Sequence, residues 1–178
     1  RILYPFFEKT FIADSFSCRV DKGTHRALNR FRAFAYRASK NHTRTCWVLK
    51  CDIKKFFDSI DHSILLAILE SYIPDRNIMR LLKVVLDSFS VTPGKGLPLG
   101  NLTSQLFANV YMNQLDQFVK HTLKIRNYIR YADDFVVLSD QIAPLEALIP
   151  EISDFLQTRL KLSLHPRKVS IQTFASGV

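Results

Sequence analysis

The chain has 178 residues and a formal charge of +9, with 47% hydrophobic and 12% aromatic residues. That length and apolar share are enough for a real core and exclude a disordered chain, while no apolar run reaches the roughly 18 residues of a membrane span. No signal-peptide pattern opens the chain, and Cys18, Cys46 and Cys51 are odd in number without metal-ligand spacing, so they read as reduced thiols of a cytosolic protein.

Residues 1–22 carry Ile2, Leu3, Phe6, Phe7, Phe11, Ile12 and Phe16 without a clear helix or strand start. Thr24 is placed to cap a helix to about Ser39, with Ala27, Leu28, Phe31, Phe34, Ala35 and Ala38 on one face. Positions 19–55 hold Arg19, Lys22, Arg26, Arg30, Arg32, Arg37, Lys40, Arg44, Lys50, Lys54 and Lys55 against the acids Asp21 and Asp52. Interleaved with Phe31, Phe34, Tyr36 and Trp47, this block suits a polyanion, nucleic acid above all, although any one of these residues is also ordinary surface.

Residues 46–53 read as a mostly buried strand ending in an acid, Asp52. Asp61 or Ser63 can cap a helix through Tyr72, and Asp75 or Asn77 another to about Ser88. Residues 93–100, with three Gly and two Pro in eight, form a loop that feeds an amphipathic helix over residues 102–123. Residues 145–160 form a helix bent or restarted near Pro150, and residues 169–174 alternate as a strand.

Between those helices lies Tyr128-Ile-Arg-Tyr-Ala-Asp-Asp-Phe-Val-Val-Leu138, two β-forming runs flanking adjacent carboxylates, the pattern of a tight hairpin with acids at its tip. Alone it is equally an exposed turn, where Asp is common for backbone reasons. The order strand, helices, hairpin, helix, strand predicts an α+β fold, the split β-α-β-β-α-β antiparallel sheet with helices on one face. That arrangement brings Asp52 to Asp133 and Asp134. Three carboxylates in one pocket need a cation, and a hard divalent ion such as Mg²⁺ suits their oxygens. Two such ions can run an in-line phosphoryl displacement, one activating a primer 3′-hydroxyl and the other steadying the pyrophosphate. An Arg or Lys side chain filling the pocket would tell against that reading.

Four segments carry a family resemblance: Asp52-Ile-Lys-Lys-Phe-Phe-Asp58, Gly96-Leu-Pro-Leu-Gly-Asn-Leu-Thr-Ser-Gln105, Tyr131-Ala-Asp-Asp134 and Leu162-Ser-Leu-His-Pro-Arg-Lys168. They resemble the reverse transcriptases, in that family's order. The resemblance implies a right-hand polymerase palm over residues 47–178, finger insertions at about 62–98 and partial fingers over 1–46. A primer-gripping strand and thumb would follow Val178. It implies Asp52, Asp133 and Asp134 as catalytic, metal-binding acids, the Ile53 carbonyl as a further ligand, and two Mg²⁺ ions for which Mn²⁺ can substitute. Lys168 matches a lysine that protonates the departing pyrophosphate, and a strand-edge lysine reads equally well there. Phe57 matches a ring that excludes the ribose 2′-hydroxyl, while its neighbour Phe56 points to the core.

Arg19 and Lys22 match a segment that meets the triphosphate. Leu99 would sit near the nascent base pair, Gly100 would allow close backbone approach, and Gln105 would face template or substrate. Asp58 and Asp61 read as helix-start or salt-bridge residues, and no histidine is assigned a catalytic role. Leu99-Gly-Asn-Leu-Thr-Ser-Gln105 and Asp14-Ser-Phe-Ser-Cys-Arg-Val-Asp-Lys-Gly-Thr-His25 are most similar to the enzymes of diversity-generating retroelements. Most relatives carry Gln where Leu99 stands, and Ser-Pro where Ser104-Gln105 stands. The subtype implies error-prone copying of an RNA template, with misincorporation opposite adenine, from a DNA or RNA primer with deoxynucleoside triphosphates, and a small basic accessory protein as partner. It also implies a bacterial, archaeal or phage-encoded cytoplasmic enzyme without a membrane partner. The alternatives are a group II intron or retron enzyme, an RNA-directed RNA polymerase, and a palm kept as a non-catalytic RNA-binding scaffold.

Overall fold

A computed structural model describes residues 3–176, so the apolar Ile2 and the chain's ends at Arg1 and Gly177-Val178 lie outside the described residues. The apolar opening segment forms a short helix, α1 (Leu3–Glu8), and a two-residue strand, β1 (Ser15–Phe16), which the sequence pattern does not mark. α2 (Thr24–Ala38) keeps the expected span, but Gly23 occupies the N-cap position and Thr24 caps nothing. The Thr24 hydroxyl instead hydrogen-bonds the Tyr131 phenol at 2.9 Å. Then come β2 (Trp47–Cys51), the single turn α3 (Phe56–Ser59), α4 (His62–Tyr72) and α5 (Arg76–Asp87). α6 (Leu102–Gln117) runs on through a π-helical turn over Phe118–Thr122, which accounts for the helical pattern to residue 123. The hairpin is β3 (Tyr128–Tyr131) and β4 (Asp134–Ser139), followed by α7 (Ala143–Leu160) and β5 (Ser170–Thr173).

The expected restart at Pro150 is absent, and α7 continues through it. A mid-helix proline costs about 3 kcal/mol. Leu145, Leu148, Ile152, Leu156 and Leu160 are all buried on one face, and at about 1.5–3 kcal/mol each they outweigh that cost.

The sheet order is β1-β3-β4-β2-β5, with β1 parallel to β3 and every other pairing antiparallel. β5-β2-β4-β3 is the expected split arrangement, and β1 adds a fifth strand at its edge. Side chains alternate between two cores. Leu49, Cys51, Tyr128, Phe135 and Val137 join α4, α6 and α7 through Leu65, Leu69, Phe107, Tyr111, Leu115, Ile152 and Leu156. Val48, Ile129 and Leu138 pack on Phe34, Ala35 and Ala38 of α2. Helices therefore lie on both faces rather than one, because the apolar stripe of α2 needs a surface and the second sheet face supplies it. Among the described residues no helix is long and apolar enough to cross a membrane. Cys46 and Cys51 are buried and Cys18 is exposed, all three as free thiols.

Asp61 performs the structural role expected of it. Its carboxylate accepts from Ser63 N and Ile64 N at 3.0 and 3.2 Å, capping α4, and pairs with Lys161 Nζ at 2.7 Å. Burial alone would raise its carboxyl, but the Lys161 and Ser63 bonds outweigh burial and bring it down to about 2. A carboxylate depressed in the fold stabilises above its unfolded pKa and loses that contribution as pH falls through the folded one. Asp61→Ala should therefore cost about 1–2 kcal/mol at neutral pH by urea denaturation. The gap between variant and parent should close between about pH 4 and pH 2.

Candidate active site

Strand register sets the site. Cys51 pairs with Phe135 across β2 and β4, so one step further Asp52 lies opposite Asp134. Tyr131 pairs with Asp134 across the hairpin, leaving Ala132-Asp133 as its two-residue turn. Asp52 and Asp134 project from the same face, since Cys51 and Phe135 both enter the opposite core. The turn has φ +54° at Ala132, a sign usually reserved for Gly at the first central residue of a tight hairpin.

Asp52 is fixed by backbone contacts on its other side. Its carbonyl accepts from His165 N at 2.8 Å, and Lys54 N donates to the Ser163 carbonyl at 2.9 Å, framing a bridge between Ile53 and Leu164. In an antiparallel pair framed that way the enclosed residue's own N–H and C=O point outward. The Ile53 carbonyl thus faces the hairpin side. His165-Pro166 then turns the chain, with Lys168 N donating to the His165 carbonyl at 3.0 Å. The turn carries Lys168 back over Asp52, where Nζ meets Oδ2 at 2.8 Å.

The acids remain in electrostatic conflict. Burial first, then the charge of Asp52, pushes the Asp133 carboxyl above its ordinary range, against Lys168 and Arg130. Asp134, although exposed at the start of β4, is pushed the same way by partial desolvation and then by Asp133 and Asp52, against Lys50 and Lys168. Lys168 is held above the usual lysine range by its bond to Asp52. A lysine therefore does reach the pocket, but it engages one oxygen of one acid and leaves the other two raised. No three acids among the described residues already form a metal cage. The donors are nonetheless all oxygen, their repulsion is unrelieved, and an ammonium stands in as cation on Asp52. Those three features fit a hard divalent ion.

The remaining candidates divide. Phe56 is buried and Phe57 half-buried, their rings 5.3 Å apart at 72°. Both rings, with Gln105, Asn109, Ser17 and Ala132, line a narrow cleft beside the acidic turn. The glycine loop is tied to α3 by Gly96 N to the Ile60 carbonyl and Leu97 N to the Phe57 carbonyl, each 2.9 Å. Leu99 stands 76% exposed on that loop. Gly100 answers to backbone conformation, φ +81°, and no protein atom lies within 4 Å of where a Cβ would stand.

Arg19 corrects the expectation of a triphosphate contact. Its guanidinium is buried and bonds Glu8 through Nε and Nη2 at 3.0 and 2.6 Å, and the Ile12 and Ser15 carbonyls through Nη1. A fork already filled by a carboxylate and two carbonyls is a brace between α1 and β1. Lys22 is half-buried, its Nζ donating to the Ala13 carbonyl at 2.6 Å, and burial together with Arg19 lowers its pKa.

Two functional candidates escape the sequence reading. Arg130, within the hairpin motif, is fully buried against Asp116 of α6. The available signal is a charge on each of two otherwise apolar faces, Arg130 between Ile129 and the turn, and Asp116 beside Leu115.

A family described as "Reverse transcriptase (RNA-dependent DNA polymerase)" matches residues 1–175. The chain is similar to Protein YkfC of Escherichia coli K12, 25% identical over 97% of this chain and 55% of YkfC. It is also similar to the Group II intron-encoded protein LtrA of Lactococcus lactis subsp. cremoris, 28% identical over 66% of this chain and 20% of LtrA. Apo telomerase from Candida tropicalis superposes with a TM-score of 0.72 at 12% identity, over 99% of this chain and 36% of that one. At that identity the likeness is one of fold. The chain spans about half the length of YkfC and a smaller part of the others.

Proposed function

Because the chain belongs to the reverse transcriptase (RNA-dependent DNA polymerase) family, we propose that it extends a primer 3′-hydroxyl with deoxynucleotides on an RNA template. The observation that carries this reading is the Cys51–Phe135 register, one step from which Asp52 meets the acidic turn, with Lys168 bonded to only one of the three acids. As part of it, residues 1–46 serve as partial fingers and 47–178 as palm, with finger insertions at about 62–98.

Asp52, Asp133, Asp134 and the Ile53 carbonyl would hold Mg²⁺, with Mn²⁺ able to substitute. A bound pair of such ions supplies activation of the attacking hydroxyl and neutralisation of pyrophosphate charge. The chain's own residues do the rest. Lys168 keeps a proton at Nζ, beside the acids, that the leaving pyrophosphate can take. Phe57 presents an apolar wall where a ribose 2′-hydroxyl would intrude. Lys22 offers its ammonium to phosphate once released from the Ala13 carbonyl.

The finer reading is a diversity-generating retroelement enzyme of the cytoplasm, working with a small basic accessory protein. Leu99 in place of an amide, 76% exposed at the loop rim, supports loose policing of the nascent pair. Similarity to LtrA favours a second reading, a group II intron-type enzyme. Extension of a DNA or RNA primer on defined RNA templates, with deoxy- against ribonucleotides, tests the activity. Deoxynucleotide incorporation on RNA is expected. Preference for ribonucleotides would make it an RNA polymerase, and no incorporation with Mg²⁺ or Mn²⁺ would leave a scaffold. Errors concentrated opposite template adenine would separate the first subtype from the second.

A further inference from the structure

Arg130 and Asp116 are 0% exposed, and the pair is the centre of a connected polar network beneath the hairpin turn. Arg130 Nε and Nη2 donate to the two Asp116 oxygens at 2.9 and 2.7 Å. Asp116 Oδ1 also accepts from the Tyr128 hydroxyl at 2.8 Å. Arg130 Nη1 turns the other way, to Asn109 Oδ1 at 3.1 Å and to the carbonyl of Ala132 at 2.8 Å. Asn109 Nδ2 reaches the carbonyls of Ser17 and Gln105, each at 3.3 Å.

Stability does not account for this pair. A buried ion pair is often matched or bettered by apolar side chains of the same volume, because removing two charges from water offsets their attraction. The surroundings are already apolar, since Tyr128, Leu115 and Phe135 belong to the main core. What the pair does that apolar groups cannot is grip a backbone carbonyl. Ala132 is a non-glycine residue at φ +54°, and both its peptide groups are held: N donates to the Phe16 carbonyl at 3.2 Å, O accepts from Arg130. A strained conformation persists only where the surroundings over-determine it. The next residue is Asp133.

We infer that Arg130, oriented by Asp116, Tyr128 and Asn109, is a positioning residue that clamps the left-handed turn at Ala132 and so sets where the Asp133 and Asp134 carboxylates stand relative to Asp52. This rests on the polymerase reading for its consequence, though not for its geometry. The network joins three elements that diverge elsewhere: α6 through Asn109 and Asp116, the end of β1 through the Phe16 and Ser17 carbonyls, and β3 through Tyr128 and Arg130. It explains why β1, two residues long, belongs to this sheet. That strand supplies the second grip on the turn.

The test is the triple variant Arg130→Met/Asp116→Leu/Tyr128→Phe, which replaces the ion pair and its phenol partner by apolar groups of similar volume. It should stay folded, the relief of two buried charges offsetting the Asn109 oxygen and Ala132 carbonyl left without a donor, so that its melting temperature lies near the parent's. Amide exchange at Tyr131–Asp134 should accelerate tenfold or more, with Ile129 and Val137 unchanged. Primer extension should lose about 10²-fold in kcat, the size of an ångström-scale misplacement, with KM for deoxynucleotides within threefold. Arg130→Lys keeps the charge but not the fork, and decides the matter should the multiple variant not fold. It should show the same exchange and the same kcat loss. Parent-like exchange and kcat in a folded variant would overturn the clamp. An inactive parent whose turn still loosens in the variants would leave the clamp standing and sink the polymerase reading instead.

Discussion

Asp133→Asn and Asp134→Asn should each slow primer extension by on the order of 10³-fold or more while melting at or above the parent's temperature. Both effects have one cause. Burial and the neighbouring acids raise both carboxyls. A carboxyl whose pKa is raised on folding takes up protons more readily in the folded state, so stability falls as pH climbs from the ordinary carboxylate range through the raised value. At neutral pH the repulsion is present in full, and an amide of the same shape removes it. The same amide is a poor partner for a hard divalent ion. Adding Mg²⁺ should therefore raise the parent's melting temperature, through preferential binding to the folded state, and raise each variant's less. Thermal melts with and without Mg²⁺, from pH 5 to 8, read this directly. Variants that melt lower than the parent and respond equally to Mg²⁺ would mean that these acids are surface-turn residues.

The second large effect concerns sugar choice. Phe57→Ala should let ribonucleotides compete with deoxynucleotides, lowering the ratio of the two kcat/KM values by about 10²-fold. That is what an apolar wall can exact for one added hydroxyl. The half-buried Phe57 ring packs on the edge of the main core and keeps part of its surface free beside the cleft it shares with Phe56, Gln105 and Ala132, next to the acidic turn. Phe56, buried beside it, anchors the single turn α3. The mirror variant Phe56→Ala should cost about 3–5 kcal/mol in stability and leave sugar choice alone. Single-nucleotide incorporation on one RNA template, with both nucleotide types, separates the two rings. An unchanged ratio in Phe57→Ala would take the residue out of the site.

Much of the site was legible because it rests on periodicity and turn chemistry. The buried run over residues 46–53 and the two β-forming runs of residues 128–138 predict three strands whose ends carry the acids, and β2, β3 and β4 meet in that register. Asp61 and Asp75 announce their helices, and both cap them. The loop at residues 93–100 and the helix after it also follow the pattern. Thr24 misled, because a hydroxyl before an apolar run signals a cap only when no distant partner competes, and Tyr131 does. Pro150 misled for a related reason: a local penalty is read from one residue, while the burial that overrides it belongs to the whole face of α7.

The linear order of residues was thus sufficient for the strand–helix sequence, the acidic hairpin and the family, since each depends on neighbours in the chain or on spacing along it. Four matters waited on the tertiary structure. β1 joins the sheet through pairing with a strand more than a hundred residues later, α2 takes the second face, and Arg19 is committed to Glu8. The union of Arg130 with Asp116 is of the same kind. Each depends on which surfaces meet after folding, and a charge in an apolar run does not name its partner until burial forces one upon it.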